Sequence, residues 1–191
     1  MNTKAAITRW AILSAVAMLA MTGCKEKSKT NKKATMPDKD QVKAMVSEAR
    51  VSLRAISTAA ETYFETKHMK RDGTPIPNQF PDTVGLTPPT PCCKQPDHVC
   101  KGGDWTDPTW MTMKFSIADP HYFQYEFASC GSGKNAKYVA RAVADPLCNG
   151  KYLVVETRRS GKSLGSSAAH GPAPIKVSTV TSVPKLHLEC K

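Results

Sequence analysis

The chain has 191 residues, 40% hydrophobic and 23% charged, with 27 Lys and Arg against 16 Asp and Glu and 7 cysteines. That size holds one ordinary domain with appendages, and the balance is globular, neither disordered nor fibrous. No run of 18 apolar residues occurs, which excludes a multi-span helical membrane protein.

Lys4 and Arg9 form a positive n-region, and Ala11 to Ala20 form an apolar core too short to span a bilayer. The block Leu19-Ala20-Met21-Thr22-Gly23-Cys24 resembles a bacterial lipoprotein signal, with Met21 where Leu is more usual. The resemblance implies a signal peptide over 1–23, cleavage after Gly23 and acylation of Cys24, palmitate included. The bilayer is then a partner through Cys24, since several acyl chains at about 0.8 kcal/mol per buried methylene anchor stably where one does not. Lys25, rather than Asp, follows the cysteine, which by analogy with the enterobacterial sorting rule favours the outer over the inner membrane. Residues 24–40 read as a lipid-anchored tether. They contain almost no large apolar side chain and cannot offset their ordering entropy.

The formal charge of +11 is unevenly placed. Residues 25 to 43 carry seven Lys against three acids, and Lys4 and Arg9 leave with the signal. The basic excess therefore belongs in part to a membrane-proximal tail, where each lysine near anionic lipid contributes on the order of 1 kcal/mol. No aromatic-and-basic motif of the RNA-binding kind occurs, and no nucleic-acid partner is expected.

Asp38 or Asp40 can cap a helix that continues to about Lys67. Val42, Val46, Ala49, Leu53, Ile56, Ala60 and Tyr63 recur at spacings of four and three, and Phe64 widens the stripe. So narrow a seam suits a helix lying on a sheet. Asp72-Gly73 closes the helical region, and residues 73 to 109 carry eight prolines. Missing amide donors and fixed φ exclude helix and central strand there, so a long loop is expected that needs fastening.

From Met111 the period becomes two. Phe123, Tyr125 and Phe127 alternate with Tyr122, Gln124 and Glu126, predicting one aromatic and one more polar face. Tyr138–Ala144 and Lys151–Arg158 are the next strands, joined by short turns in an antiparallel meander. Residues 159–174 are a flexible Ser/Gly-rich loop, and Ile175–Leu188 offers one more strand. The fold class is α+β: a long N-terminal helix packed on a small antiparallel sheet, spanning 41–191, with a long Pro/Cys-rich loop.

This order, with Ala49-Arg50-Val51-Ser52-Leu53-Arg54-Ala55-Ile56 leading to Tyr63-Phe64, resembles a type IV pilin, and is most similar to the pilin-like proteins of myxobacteria. Trp110-Met111-Thr112-Met113-Lys114-Phe115 and Asp119-Pro120-His121-Tyr122-Phe123-Gln124-Tyr125-Glu126 match the first sheet segments of that group. The similarity covers roughly residues 42 to 158. The chain departs from the family in lacking the prepilin-peptidase site, the Glu near the mature N-terminus and the long apolar half-helix. Without that half-helix the fibre-packing surface is missing, and a major pilus subunit is not expected. What remains is a pilin-like head on a lipid anchor, with envelope or pilus-system proteins as partners.

With Cys24 acylated, six cysteines remain as disulfide candidates: Cys92, Cys93, Cys100, Cys130, Cys148 and Cys190. Cys130 and Cys148 follow consecutive antiparallel strands and so lie at opposite ends of the sheet, about 26 Å apart. Cys148 should therefore meet Cys92, Cys93 or Cys100, while Cys190 pins the C-terminus to Cys130 or to a loop cysteine. A zinc site built from Cys92, Cys93, His98, Cys100 and His121 is the rival. It lacks any C-x-x-C spacing, and no metal or other cofactor is expected.

Gly161-Lys162-Ser163 lacks the first glycine of a P-loop, residue 156 being Glu, and no H-E-x-x-H or G-x-S-x-G occurs. No catalytic residue is assigned, and an enzyme is not expected. Trp105 and Trp110, near Asp104 and Asp107, could form a binding platform for sugar or a partner; core plugging is the competing use. The expectation is a non-enzymatic cell-envelope lipoprotein with an interaction or assembly role at the cell surface. The alternative is a periplasmic or surface binding protein for glycan or polyanion.

Overall fold

A computed structural model describes residues 38–164 and 172–189, all within one compact unit. The proposed signal peptide, Cys24, nearly all of the tether and Cys190 lie outside the described residues. Helix α1 spans Lys39–Glu65. Asp38 caps it reciprocally: its carboxylate accepts from the Asp40 and Gln41 amides at 2.9 and 2.8 Å, and Gln41 Oε1 accepts from the Asp38 amide at 3.0 Å. Thr66, in extended backbone, ends the helix, one residue before the predicted Lys67.

The helix buries Met45, Ala49, Leu53, Ile56, Ser57, Ala60 and Phe64. The predicted stripe is thus recovered along its middle. Val42, Val46 and Tyr63 are only half-buried, because Met45 and Phe64 point more directly at the sheet. Among the described residues no helix is long and apolar enough to cross a membrane.

After α1 comes a small hairpin, β1 (His68–Met69) and β2 (Pro75–Ile76), whose turn holds Asp72-Gly73. Strand β3 (Val84–Thr87) lies inside the proline-rich stretch expected to be loop. It is tolerated because it occupies a sheet edge and contains no proline itself.

Helix α2 (Pro108–Met113) corrects the sequence reading of Trp110–Phe115 as the start of the sheet. Pro108 sits in the first turn, where its missing amide costs nothing, and the Asp107 carboxylate accepts from the Thr109 amide at 2.8 Å. Lys114, at φ 51°, then stops the helix in left-handed backbone. These local signals outweigh the apparent alternation of Trp110, Met111, Thr112, Met113 and Phe115.

The main sheet has five antiparallel strands in the order β3-β4-β5-β6-β7, with β4 Gln124–Cys130, β5 Lys137–Ala144, β6 Tyr152–Ser160 and β7 Ile175–Val180. The predicted meander is present. Strand β6 runs to Ser160, and a single helical turn, α3 (Gly161–Leu164), occupies the start of the expected 159–174 loop, of which 165–171 are outside the described residues. The last predicted strand stops at Val180 instead of Leu188.

One face, with Phe123, Tyr125, Phe127, Tyr138, Ala140, Ala142 and Val155, packs with α1 into a single apolar core. Alanines at facing positions of helix and strand permit the close approach, and Phe80, Phe127 and Tyr138 fill the space between. The opposite face is more polar in composition and is also buried over β4 and β5, while Glu156 is half-buried and Lys176 exposed. Glu126, Arg141, Glu156 and Lys176 stand directly opposite one another across β4 to β7. Arg141 is 4% exposed, forms a short ion pair with Glu126 and donates from Nη2 to the Pro184 carbonyl at 2.8 Å. The segment after β7 thus crosses this face. Of residues 181–189, which continue beyond the sheet, Pro184 supplies the carbonyl that accepts from the buried guanidinium.

Candidate functional site

The densest chemistry gathers where the proline-rich loop meets the turn between β5 and β6. Adjacent Cys92 and Cys93 lie in one 3-10 turn, Cys92–Lys94, and their disulfides diverge. Cys92 bonds Cys100, eight residues away, with Cα atoms 4.6 Å apart; Cys93 bonds Cys148 across a separation of 55 residues, with Cα atoms 5.5 Å apart. Cys148 meets a loop cysteine, as the strand geometry requires. Cys130 is disulfide-bonded as well.

The two bridges differ in access. Cys92 and Cys100 are buried, whereas Cys93 is half-buried and Cys148 exposed. Each has a histidine beside it. His121 pairs with Cys100 through two backbone hydrogen bonds of 2.8 and 2.9 Å, and its ring is 1% exposed among Trp105 and Tyr125. Burial pushes the pKa of His121 down, against a smaller opposite effect of the Asp119 carbonyl. A neutral imidazole donating from Nδ1 to that carbonyl, at 3.0 Å, satisfies both influences.

His98 is exposed. Its Nδ1 lies 2.9 Å from the Cys93 carbonyl and 3.5 Å from the Cys148 sulfur. Three non-glycine residues here, Asp97, His98 and Cys148, have left-handed backbone with φ of 61°, 58° and 50°. Such conformations cost about 1 kcal/mol or more each and persist only where surrounding structure enforces them. Asp97 is held below its ordinary pKa by the Lys101 ammonium, which bonds it at 2.6 Å.

The residues weighed for zinc therefore do converge, as Cys92, Cys100 and His121 in one group and Cys93, His98 and Cys148 in the other, with donor atoms within 4.8 Å. In both groups the sulfurs are joined to each other. A disulfide is not a thiolate, so neither group in this oxidation state presents the ligands of a thiolate zinc site.

The tryptophan platform is not formed. Trp110 is fully buried and donates from Nε1 to Thr87 Oγ1 at 2.8 Å; Trp105 is 8% exposed and donates to the Ile117 carbonyl at 3.2 Å. The two rings meet edge to face with centroids 5.5 Å apart, and Phe115 joins them. Their area is spent on the core.

A second feature is an open cleft of about 680 Å³ where β5 begins and β6 ends, lined by Lys137, Arg158, Arg159, Ser160, His187 and Glu189 among others. Arg158 is held by Glu156 at 2.8 Å and Arg159 by Glu61 at 3.3 Å, the latter also accepting from the Tyr138 hydroxyl at 3.0 Å. Glu156 holds Arg158 on one face of β6, whereas Glu61 holds Arg159 on the other, towards α1.

No protein-family model matches the chain, and no curated protein or solved structure matches it either.

Sequence reasoning missed the cleft and the partnership of His98 with the exposed bridge. The first had a signal in Arg158-Arg159 at a strand end. The second had none, because the left-handed turn at Asp97 and His98 is not encoded by glycine.

Proposed function

We propose that this chain is a lipid-anchored, non-enzymatic envelope protein whose pilin-like head serves interaction or assembly at the cell surface, at the outer membrane in preference to the inner. The observation carrying this reading is the capped start of α1. Asp38 fixes the start of α1, and residues 25–37 separate it from Cys24. A helix capped after a polar segment and laid along an antiparallel meander suits a pilin-like domain whose fibre-forming shaft has been replaced by a lipid. Disulfide-bonded Cys92, Cys93, Cys100, Cys130 and Cys148 support an oxidising, extracytoplasmic location.

Intact-mass measurement on the native mature protein, with detergent partitioning of wild type and Cys24→Ala, tests the anchor. A mass increase fitting acylation and a detergent-phase wild type support it. An unmodified Cys24 in a water-soluble protein refutes it. Site-specific crosslinking from the exposed face of α1 in intact envelopes, read against pilus-system proteins, tests the assembly role.

The second reading, polyanion binding, draws support from the cleft. Lys137 and the exposed Arg158 both line it, whereas Trp105 and Trp110 are core residues. Binding to an acidic polysaccharide that weakens with salt and is lost in Arg158→Ala is its expected signature.

A further inference from the structure

We propose that the Cys93–Cys148 disulfide is a thiol-exchange site, at which an incoming thiolate bonds to Cys93 and Cys148 departs. This goes beyond the anchor and the head's partners, and would stand if both were reassigned. It rests on the contrast between two bridges that share adjacent residues. The Cys92–Cys100 sulfurs are buried, so an attacking thiolate cannot approach along the S–S axis. The Cys93–Cys148 bridge lies at the surface, with Cys148 exposed and Cys93 half-buried.

Exposure admits a nucleophile, and the histidine assigns the direction. His98 Nδ1 is 3.5 Å from Cys148 Sγ, a hydrogen-bonding contact, and 2.9 Å from the Cys93 carbonyl oxygen, with the Cys93 sulfur also within 4.8 Å of the ring. An N–H there, already directed into the loop by that carbonyl, can strengthen its contact with a sulfur that acquires negative charge. Thiol exchange is faster when the leaving sulfur is the more stabilised thiolate. The charged groups on the loop that carries His98 are Lys94, Asp97 and Lys101, with Asp97 bonded by Lys101; the β5–β6 turn adds Asp145, whose carboxylate accepts from the Asn149 and Gly150 amides. Both carboxylates thus have partners of their own, and the charge of Asp97 also acts on His98.

The step balances without a separate oxidant. A thiolate attacks Cys93 Sγ and forms a new S–S bond. The Cys93–Cys148 bond breaks, and its electron pair leaves on Cys148 as a thiolate, hydrogen-bonded by His98 until solvent supplies a proton. The products are one mixed disulfide at Cys93 and one thiol at Cys148. The β5–β6 turn is thereby released from the proline-rich loop, whose own closure by Cys92–Cys100 remains. The co-reactant is defined by chemistry alone: a thiolate, carried by a small metabolite or by a protein cysteine.

The folded full-length protein is incubated with limiting free cysteine, or with a short peptide containing one cysteine, then quenched with iodoacetamide and mapped by mass spectrometry. The adduct is expected on Cys93, with alkylation on Cys148 and Cys92–Cys100 intact. Faster transfer from the peptide assigns a protein thiol as the source, and faster transfer from free cysteine a small one. His98→Asn suits the left-handed backbone and keeps a donor for the Cys93 carbonyl, but carries no imidazole. It should slow exchange, because a less stabilised leaving thiolate departs more slowly, with an unchanged melting profile. An adduct on Cys148, opening of Cys92–Cys100 at the same rate, or an undiminished rate in folded His98→Asn would overturn the proposal.

Discussion

Replacing Leu53 by Ala probes the packing on which the head depends. Leu53 is 0% exposed at the middle of α1 and belongs to the core shared with Phe127, Tyr138 and Ala140. Truncation removes the equivalent of three methylenes, about 2.4 kcal/mol at ~0.8 each. The cavity adds to this, because the sheet side is filled by rigid rings and alanines that cannot collapse into it. The total is about 3–4 kcal/mol, or a fall in melting temperature of about 6–16 °C for a domain of this size. Val51→Ala is the control: two residues away on the same helix, it is 67% exposed and should cost a few tenths of a kcal/mol at most. Urea unfolding with disulfides intact, followed by far-UV circular dichroism, should give a lower midpoint for Leu53→Ala at an unchanged slope. Equal midpoints for the two variants would mean that α1 does not lie on the sheet through this stripe.

Two further perturbations address buried charge. Burial raises the Glu48 carboxyl above its ordinary 4.5, with the Tyr122 amide pulling weakly the other way. A raised folded-state value means that Glu48 contributes stability below pH 4.5 that is lost as pH rises through the folded value. Glu48→Gln, which cannot ionise, should therefore gain stability over wild type at pH 7 and little at about pH 4, as melts at the two pH values will read; a gain independent of pH would refute the assignment. Arg141→Met leaves Glu126 buried without its partner and should cost about 3–5 kcal/mol, while Arg141→Met with Glu126→Leu should recover much of it. The loss should also be smaller in acid, where the Glu126 carboxyl, already pushed up by burial, takes a proton. A double variant no better than the single one would show that the Pro184 contact matters more than the ion pair.

Much of the framework was legible because it follows from periodicity. The four-and-three spacing of Ala49, Leu53, Ile56 and Ala60 identifies the buried helix face, and the alternation of Phe123, Tyr125 and Phe127 identifies the inner sheet face. The separation of Cys130 from Cys148 followed from strand length alone. What was not legible depended on contacts distant in sequence. Trp110 to Phe115 alternates like a strand, and only Pro108 with the Asp107 cap marks the helical turn. Glu126 and Arg141 look like solvent-facing strand residues. Their burial depends on a segment over forty residues downstream bringing the Pro184 carbonyl to the guanidinium. The choice of Cys92 over the adjacent Cys93 as the partner of Cys100 has no signal in the spacing, and the left-handed backbone at Asp97 and His98 between them is one that neither residue type requires.

Coverage of both sheet faces constrains how the head can meet a partner. One face is filled by α1 and the other is crossed by the C-terminal segment, which leaves the outward side of α1, the β7 edge, the cleft and the exposed loops as surfaces for a partner. The outward side exposes Lys43, Arg50 and Arg54, and the cleft carries Lys137 and Arg158. Binding through either surface is therefore sensitive to salt, since exposed charges are screened within about 8 Å at physiological ionic strength. Salt dependence alone cannot separate an assembly role from polyanion binding. Position can. Arg158 is 61% exposed at its side chain, so Arg158→Ala removes cleft charge at little cost in stability. Arg159 is 9% exposed and tied to Glu61 on α1, so its replacement would disturb helix and cleft together. Loss of binding in Arg158→Ala with Arg50→Ala unaffected assigns the cleft and hence the polyanion reading. The reverse pattern assigns the helix face and supports the proposed assembly role.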